Sequence, residues 1–163
     1  MAATQTKPQK AIRRFDSPQQ EAYLALWRTY DRLRMLEDEL FARFDLTAQQ
    51  YNALRLLRAE HPEALPTLVL AERLVSRAPD ITRLVDKLEE RRLITRTRPP
   101  ENRRSVLVAI AESGISLIDE IAGPLRACHA KQLGHLPATD LVKLIALLKA
   151  ARAPHETDAS VWK

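Results

Sequence analysis

Apolar side chains recur at every third or fourth position along most of the chain, which is the spacing of amphipathic helices. Beyond a polar, basic segment at residues 1–16, this spacing predicts a long first helix over residues 17–45. Shorter helices are expected at about residues 48–60, 67–74, 78–91 and 138–151, and another long helix at about residues 115–133. The pattern therefore predicts a mainly α fold.

Several of the predicted helices begin at residues that favour a helix start. Ser17 and Thr47 are each followed three residues later by a glutamine, which is the spacing of a capping box. Thr67 is expected to cap the third helix, and Pro79 is preorganised for the first turn of the fourth. In the fifth, a bend is expected at Gly123 and Pro124, where a backbone hydrogen bond is lost.

The hydrophobic spacing changes after Leu93 from about 3.6 residues to about two, the repeat of a β-strand. Residues 94–98 and 106–110 alternate in this way on either side of the breakers Pro99 and Pro100, which predicts a β-hairpin. Residues 64–66 are expected to form a very short strand. Two short helices, a tight turn and this hairpin predict a winged helix-turn-helix over residues 46–111.

Positive charge is concentrated in residues 77–104, which hold eight arginines and one lysine against five acidic residues. The major groove of DNA admits one helix, and a basic hairpin can follow the backbone and enter the minor groove. This pattern favours binding to double-stranded DNA over a merely solvated charged face. The predicted DNA-binding residues are Arg77, Pro79, Asp80, Thr82, Arg83, Lys87, Arg96, Arg98, Arg103 and Arg104.

These residues are expected to play different roles. The side chains assigned to base edges in the major groove are Arg77, Thr82 and Arg83, whereas Arg96 and Arg98 are assigned to phosphates. Asp80 either accepts a hydrogen bond from a cytosine amino group or stabilises the helix N-terminus through the helix dipole, and the second role is favoured.

Residues 69–114 read VLAERLVSRAPDITRLVDKLEERRLITRTRPPENRRSVLVAIAESG and resemble the MarR family of bacterial transcriptional regulators. That family's usual pattern is L-A-E-R-L, then T-R-L-V-D-x-L-E-x-x-G-L, then a wing ending D-x-R-x-x-x-V-x-L-T-x-x-G. The order of helices resembles the family over residues 17–152. Arg92 and Val75 depart from this pattern, since they stand where the family has glycines.

The resemblance implies that Arg104, with Arg103 beside it, is the wing arginine that enters the minor groove. Asn102 stands where the family has an aspartate that supports this arginine. The resemblance also implies an obligate homodimer, and many relatives bind small aromatic acids in a cleft. A possible pocket for a small aromatic or phenolic ligand would be lined by Trp27, Tyr30 and Tyr51 with Arg32 or Arg34, although aromatics at helical spacing are more often core.

The apolar stripes at both chain ends have no partner within a small winged-helix core, which independently favours a dimer. Residues 17–45 and 112–152 are therefore predicted to form a helical dimerisation region, with a flexible arm at 1–16 and a tail at 153–163. A dimer would set two recognition helices about one DNA turn apart and would bind a pseudo-palindromic operator.

Other features of the sequence narrow the class of protein. The single cysteine, Cys128, excludes an intrachain disulfide framework and is expected to be buried packing. Cys128, His129 and His135 lack the spacing of a metal site, and no cofactor is expected. No apolar run is long enough to span a bilayer, so a cytoplasmic protein without a membrane partner is predicted.

The sequence thus predicts a DNA-binding transcriptional regulator, more specifically a repressor released by a small-molecule ligand. It contains no paired carboxylates in a glycine-rich cleft, no phosphate loop and no nucleophile with an oriented base, so it is not expected to be an enzyme. The alternative is a winged helix that assembles with an acidic protein partner. An enzyme acting on nucleic acid ranks third.

Overall fold

The computed structural model describes residues 15–76, 80–100, 105–157 and 160. The chain forms helices α1 (Pro18–Ala42), α2 (Ala48–Glu60), α3 (Thr67–Arg73), α4 (Ile81–Glu90), α5 (Glu112–Leu133) and α6 (Ala138–Arg152), with strands β1 (Leu65–Pro66), β2 (Ile94–Thr97) and β3 (Leu107–Ile110). A short 3-10 turn at Ala153–His155 follows α6. The prediction of a mainly α fold with a small β-hairpin is confirmed.

The three strands form one antiparallel sheet in the order β1-β3-β2. Strand β3 lies in the middle, where Leu65 of β1 and Arg96 of β2 both pair with Val108. The predicted hairpin is therefore β2 and β3. Its tip, residues 101–104, lies outside the described residues.

The chain divides into two compact units, residues 1–35 and 36–163. Described residues of the first unit form the N-terminal part of α1, where the Tyr23 and Trp27 rings lie 6.1 Å apart in a tilted pair. The Ser17 hydroxyl accepts a hydrogen bond from the Gln20 backbone N–H at 3.1 Å, as predicted. The Gln20 side chain, however, accepts from the backbone N–H of Asp16 at 2.8 Å, so this cap differs from the predicted capping box.

The hydrophobic core lies in the second unit and is organised around α2, which packs against α3, α5 and β3. The apolar residues of α2 repeat every three or four positions, so they lie on one side of the helix and point into the core. Thr47 and Gln50 complete the predicted capping box at its start. The largest side chains of the core with almost no exposed surface are Leu54, Leu57, Leu70, Leu88, Ile94, Ile121, Val85 and Val108.

The two ends of α4 are held by different devices. At the N-terminus, the Asp80 carboxylate accepts a hydrogen bond from the Arg83 backbone N–H at 2.9 Å. At the C-terminus, the Leu93 N–H donates to the Leu88 carbonyl at 3.0 Å and the Arg92 N–H donates to the Glu89 carbonyl at 2.7 Å. This pair of bonds is a Schellman motif, and it requires Arg92 to take a left-handed φ of 59°.

Replacing Arg92 by glycine is expected to raise the free energy of unfolding by about 1 kcal/mol, because glycine adopts a positive φ without the steric strain of a side chain. The measurement is urea unfolding followed by circular dichroism at a fixed protein concentration. Arg92→Ala keeps the strain and removes the same guanidinium, so it serves as the control. An Arg92→Gly variant no more stable than Arg92→Ala would contradict the strain.

Two sequence predictions about helices need correction. Thr67 does not cap α3 but is its first residue, and its hydroxyl donates instead to the carbonyl of Val106, just before β3, at 3.0 Å. Helix α4 begins at Ile81 rather than at about residue 78, because Asp80 caps it. Helix α6 has no buried residue: Leu141 and Leu144 are partly exposed, and Ile145 is 53% exposed.

Candidate nucleic-acid interface

The turn between α3 and α4 is held by two side chains of α2. The Asn52 side-chain oxygen accepts a hydrogen bond from the Val75 backbone N–H at 3.4 Å, and the Gln49 amide donates to the Ser76 hydroxyl at 3.2 Å. These bonds tie the turn to the core. The sequence analysis did not predict the roles of Gln49 and Asn52. The signal that could have indicated them is that they are polar residues on a helix that packs against three neighbours.

Helix α4 is held to the core by one face and leaves the other open. Leu84, Val85 and Leu88 are buried, whereas Thr82, Arg83 and Lys87 are exposed. The α-helical repeat separates these two sets of positions onto opposite sides. Helix α4 therefore presents a hydroxyl and two cations to its surroundings, as predicted for a recognition helix.

Asp80 lies at the start of this exposed side, but its carboxylate is occupied by the N-cap hydrogen bond to Arg83. A carboxylate at this position also interacts favourably with the positive end of the helix dipole. The structure thus supports the stabilising role that the sequence favoured for Asp80.

Arg96 is bound to two carboxylates of α4. Its Nη1 lies 2.7 Å from Asp86 Oδ1, its Nε donates to Glu89 Oε2 at 2.7 Å, and its Nη2 also donates to that oxygen. The hydrogen bonds from Arg96 lower the pKa of Glu89, and the hydrogen bond to Glu89 raises the pKa of Arg96. Arg98, two residues further along the chain, is exposed.

The exposed side of α4 and the hairpin line one open groove. Its walls are formed by Thr82, Asp86, Glu89, Arg96, Arg98 and Val106. Thus three of the predicted DNA-binding residues, Thr82, Arg96 and Arg98, come together at one surface from two separate parts of the chain.

The C-terminal end of α4 is tied to the segment that follows α1. Arg91 donates one hydrogen bond to the Phe44 carbonyl at 3.1 Å and another to the Asp45 carbonyl. Its Nε also lies 3.9 Å from the Asp45 carboxylate. Sequence reasoning missed this contact, because nothing in the local pattern distinguishes Arg91 from the other arginines of the basic stretch.

Five of the predicted interface residues lie outside the described residues. They are Arg77 and Pro79 before α4, and Asn102, Arg103 and Arg104 at the hairpin tip. Their assignments remain predictions.

The residues predicted for a ligand pocket lie on two helices. Trp27, Tyr30 and Arg34 are exposed residues of α1 in the first unit. Tyr51 belongs to α2 in the second unit, where its ring stacks on Phe41 with a centroid distance of 4.8 Å, and burial raises its pKa. That these residues line one pocket remains a prediction.

Other chemistry is limited in the described part of the chain. Cys128 is buried as predicted, and the loss of solvation raises the pKa of its thiol, which lowers its reactivity. Among the described residues, no three His, Cys, Asp or Glu side chains are grouped so that they could hold a metal ion. None of the described helices has the length and apolar character needed to cross a membrane.

Comparison with known proteins decides the family. The MarR family model matches residues 46–106, which include α2, α3, α4 and β2. A MarR transcription factor from Planctomyces limnophilus is 55% identical, and its crystal structure matches with a TM-score of 0.67 over 84% of this chain and 99% of that one. The chain belongs to the MarR family.

Other proteins resemble this chain at lower identity. The HTH-type transcriptional repressor NicR of Pseudomonas putida is 29% identical over 135 residues, which are 83% of this chain and 84% of that protein. A mutant MarR from E. coli, crystallised with operator DNA, shares the fold with a TM-score of 0.72 at 21% identity, over 80% of this chain and 93% of that one.

Proposed function

We propose that this MarR family member binds double-stranded DNA in a sequence-specific manner and acts as a transcriptional repressor. The observation that carries the proposal is the groove between α4 and the hairpin, where exposed Thr82 and Arg98 lie on its two walls. A helix offering a hydroxyl and cations can reach base edges, while a neighbouring basic strand follows the phosphates. Repression is supported by the name of the Pseudomonas putida relative.

A homodimer is part of the same proposal. Within the described chain, α6 exposes Val142, Ile145 and Leu147, and the first unit exposes Leu26 and Trp27. Apolar surface on this scale is covered in a stable protein, and a second copy of the chain offers a matching surface. Two copies would present two α4 helices to a pseudo-palindromic operator.

The remaining parts of the proposal concern regulation. A small aromatic or phenolic molecule that binds near Trp27, Tyr30, Arg34 or Tyr51 would release the repressor from DNA. The protein would act in the cytoplasm and would not be an enzyme. The exposed aromatic rings of α1 support this part, because such rings offer flat apolar contact area.

The experiment is a fluorescence anisotropy titration against random duplex DNA and an operator selected from a random library, at several salt concentrations. With about four phosphate contacts per dimer, affinity should fall roughly tenfold for each doubling of salt. The selected operator should bind more tightly than random duplex at every salt concentration. Absence of duplex binding at low salt would contradict the proposal and favour the alternative of an acidic protein partner.

The same titration tests the predicted wing contact. Arg104→Ala should weaken operator binding by about 1 to 3 kcal/mol and should lower the salt slope, because one minor-groove cation per protomer is lost. Arg126→Ala removes an equal charge from an exposed position of α5 and should change neither the operator affinity nor the salt slope. Equal operator affinity in Arg104→Ala and the wild type would show that the hairpin tip lies away from DNA.

A further inference from the structure

The alternating pattern of β2 separates Arg96 from its neighbours. The side chains of Thr95 and Thr97 are exposed, whereas that of Arg96 is only 28% exposed and points to the α4 side of the sheet. Backbone pairing with Val108, which is fully buried in the middle strand, fixes the position of Arg96 relative to the core. Arg96 is thus a cation anchored by the sheet.

The two partners of Arg96 come from one face of α4. Asp86 and Glu89 are three residues apart, so they are neighbours on the helix surface. Nε and Nη2 share one oxygen of Glu89, while Nη1 reaches Asp86 at 2.7 Å. The planar guanidinium can meet both carboxylates at once, which a single ammonium cannot do in the same geometry.

Charge gives this contact a second consequence. Asp86 and Glu89 line the same groove as Thr82 and Arg98, which in the proposed function faces DNA. Two uncompensated carboxylates there would repel phosphate and each other. Arg96 supplies one positive charge, which offsets half of their negative charge.

We propose that Arg96 is a positioning residue that joins the recognition helix to the wing and offsets part of the negative charge of Asp86 and Glu89, rather than a contact to DNA phosphate. The inference rests on the proposed function. It changes the role that the sequence assigned to Arg96 and leaves the phosphate role to Arg98. Holding α4 and the wing at one angle reduces the ordering that DNA binding would otherwise require.

The first test is a mutant cycle on operator affinity. In the wild-type background, Arg96→Gln should weaken binding about tenfold, because the carboxylates lose their partner and the hairpin loses its tie. In a background with Asp86→Asn and Glu89→Gln, the same change should cost less than about twofold. A phosphate contact would instead cost the same factor in both backgrounds, and that result would overturn the proposal.

Arg98→Gln is the matched control because it removes the same type of side chain two residues away, just after the end of β2. Arg98→Gln should reduce the steepness of log affinity against log salt by about one per protomer. It should weaken operator binding by a similar factor in both backgrounds. Arg96→Lys keeps the charge but loses the planar fork, so it should recover part of the affinity lost in Arg96→Gln. Full recovery by lysine together with a lowered slope in Arg96→Gln would also overturn the proposal.

A measurement without DNA separates this proposal from the function on which it rests. Hydrogen exchange of the amides in residues 94–97 and 107–110 should be several-fold faster in Arg96→Gln than in the wild type and unchanged in Arg98→Gln. Unchanged exchange in Arg96→Gln would show that no tie exists, whatever the protein binds. Failure of the wild type to bind duplex DNA would instead refute the proposed function and leave this measurement standing.

Discussion

Replacing Leu88 by alanine is expected to lower the free energy of unfolding by about 4 kcal/mol, within the usual range for a buried leucine. Leu88 has no exposed surface and lies on the inner face of α4, in the core with Leu54, Leu57 and Leu70. Its loss leaves a cavity under the recognition helix, since neighbours on α2 are held by their own packing. Chemical unfolding by guanidinium, followed by circular dichroism, measures the change.

Leu68→Ala provides a control of identical chemistry, because Leu68 is 74% exposed on α3. It should change stability by less than about 0.5 kcal/mol. Both variants and the wild type need the same protein concentration, since dimer formation makes apparent stability depend on concentration. Similar losses in the two variants would mean that α4 is not anchored through Leu88.

Replacing Gly114 by alanine should lower the free energy of unfolding by about 3 kcal/mol, at the upper end for overpacking. A methyl group there would meet the Leu93 carbonyl oxygen and would lie 2.8 Å from Cγ1 of Ile110. The first of these atoms belongs to the backbone, so the start of α5 would have to move away from the end of α4. Such a shift would also disturb the Ala111 N–H, which donates to the same carbonyl at 3.0 Å.

Gly123 gives the matched control, because it lies inside the same helix and a methyl group there meets nothing within 4 Å. Gly123→Ala should therefore stabilise the protein by about 1 kcal/mol, the ordinary helix preference for alanine. The two substitutions are predicted to have opposite signs, and thermal unfolding of both resolves the difference. Stabilisation by Gly114→Ala would contradict the close approach of α5 to Leu93.

The sequence predicted the helices and the hairpin well because both depend on local spacing. Thr47 capped α2 as expected, because capping depends on residues only three positions apart, whereas the prediction of a helix start at about residue 78 missed Asp80 as the cap of α4. Arg92 had to adopt a left-handed conformation for the same reason, since it occupies the position after a helix end.

Contacts between distant residues could not be predicted in this way. The amides of Gln49 and Asn52 bind a turn more than twenty residues away, and local spacing cannot reveal such a pair. Thr67 had the right chemistry for a cap, but a carbonyl of the neighbouring strand segment bound its hydroxyl instead. Positive charge alone could not distinguish Arg96, which is bound to carboxylates, from exposed Arg98.

Arg91 connects the last turn of the recognition helix to the peptide groups of Phe44 and Asp45, which follow α1. A guanidinium is rigid and planar, so it transmits a displacement of those carbonyls instead of absorbing it. The end of α4 therefore cannot unwind or rotate while these bonds persist. Any motion of the segment between α1 and α2 must therefore move α4 with it or break the hydrogen bonds from Arg91.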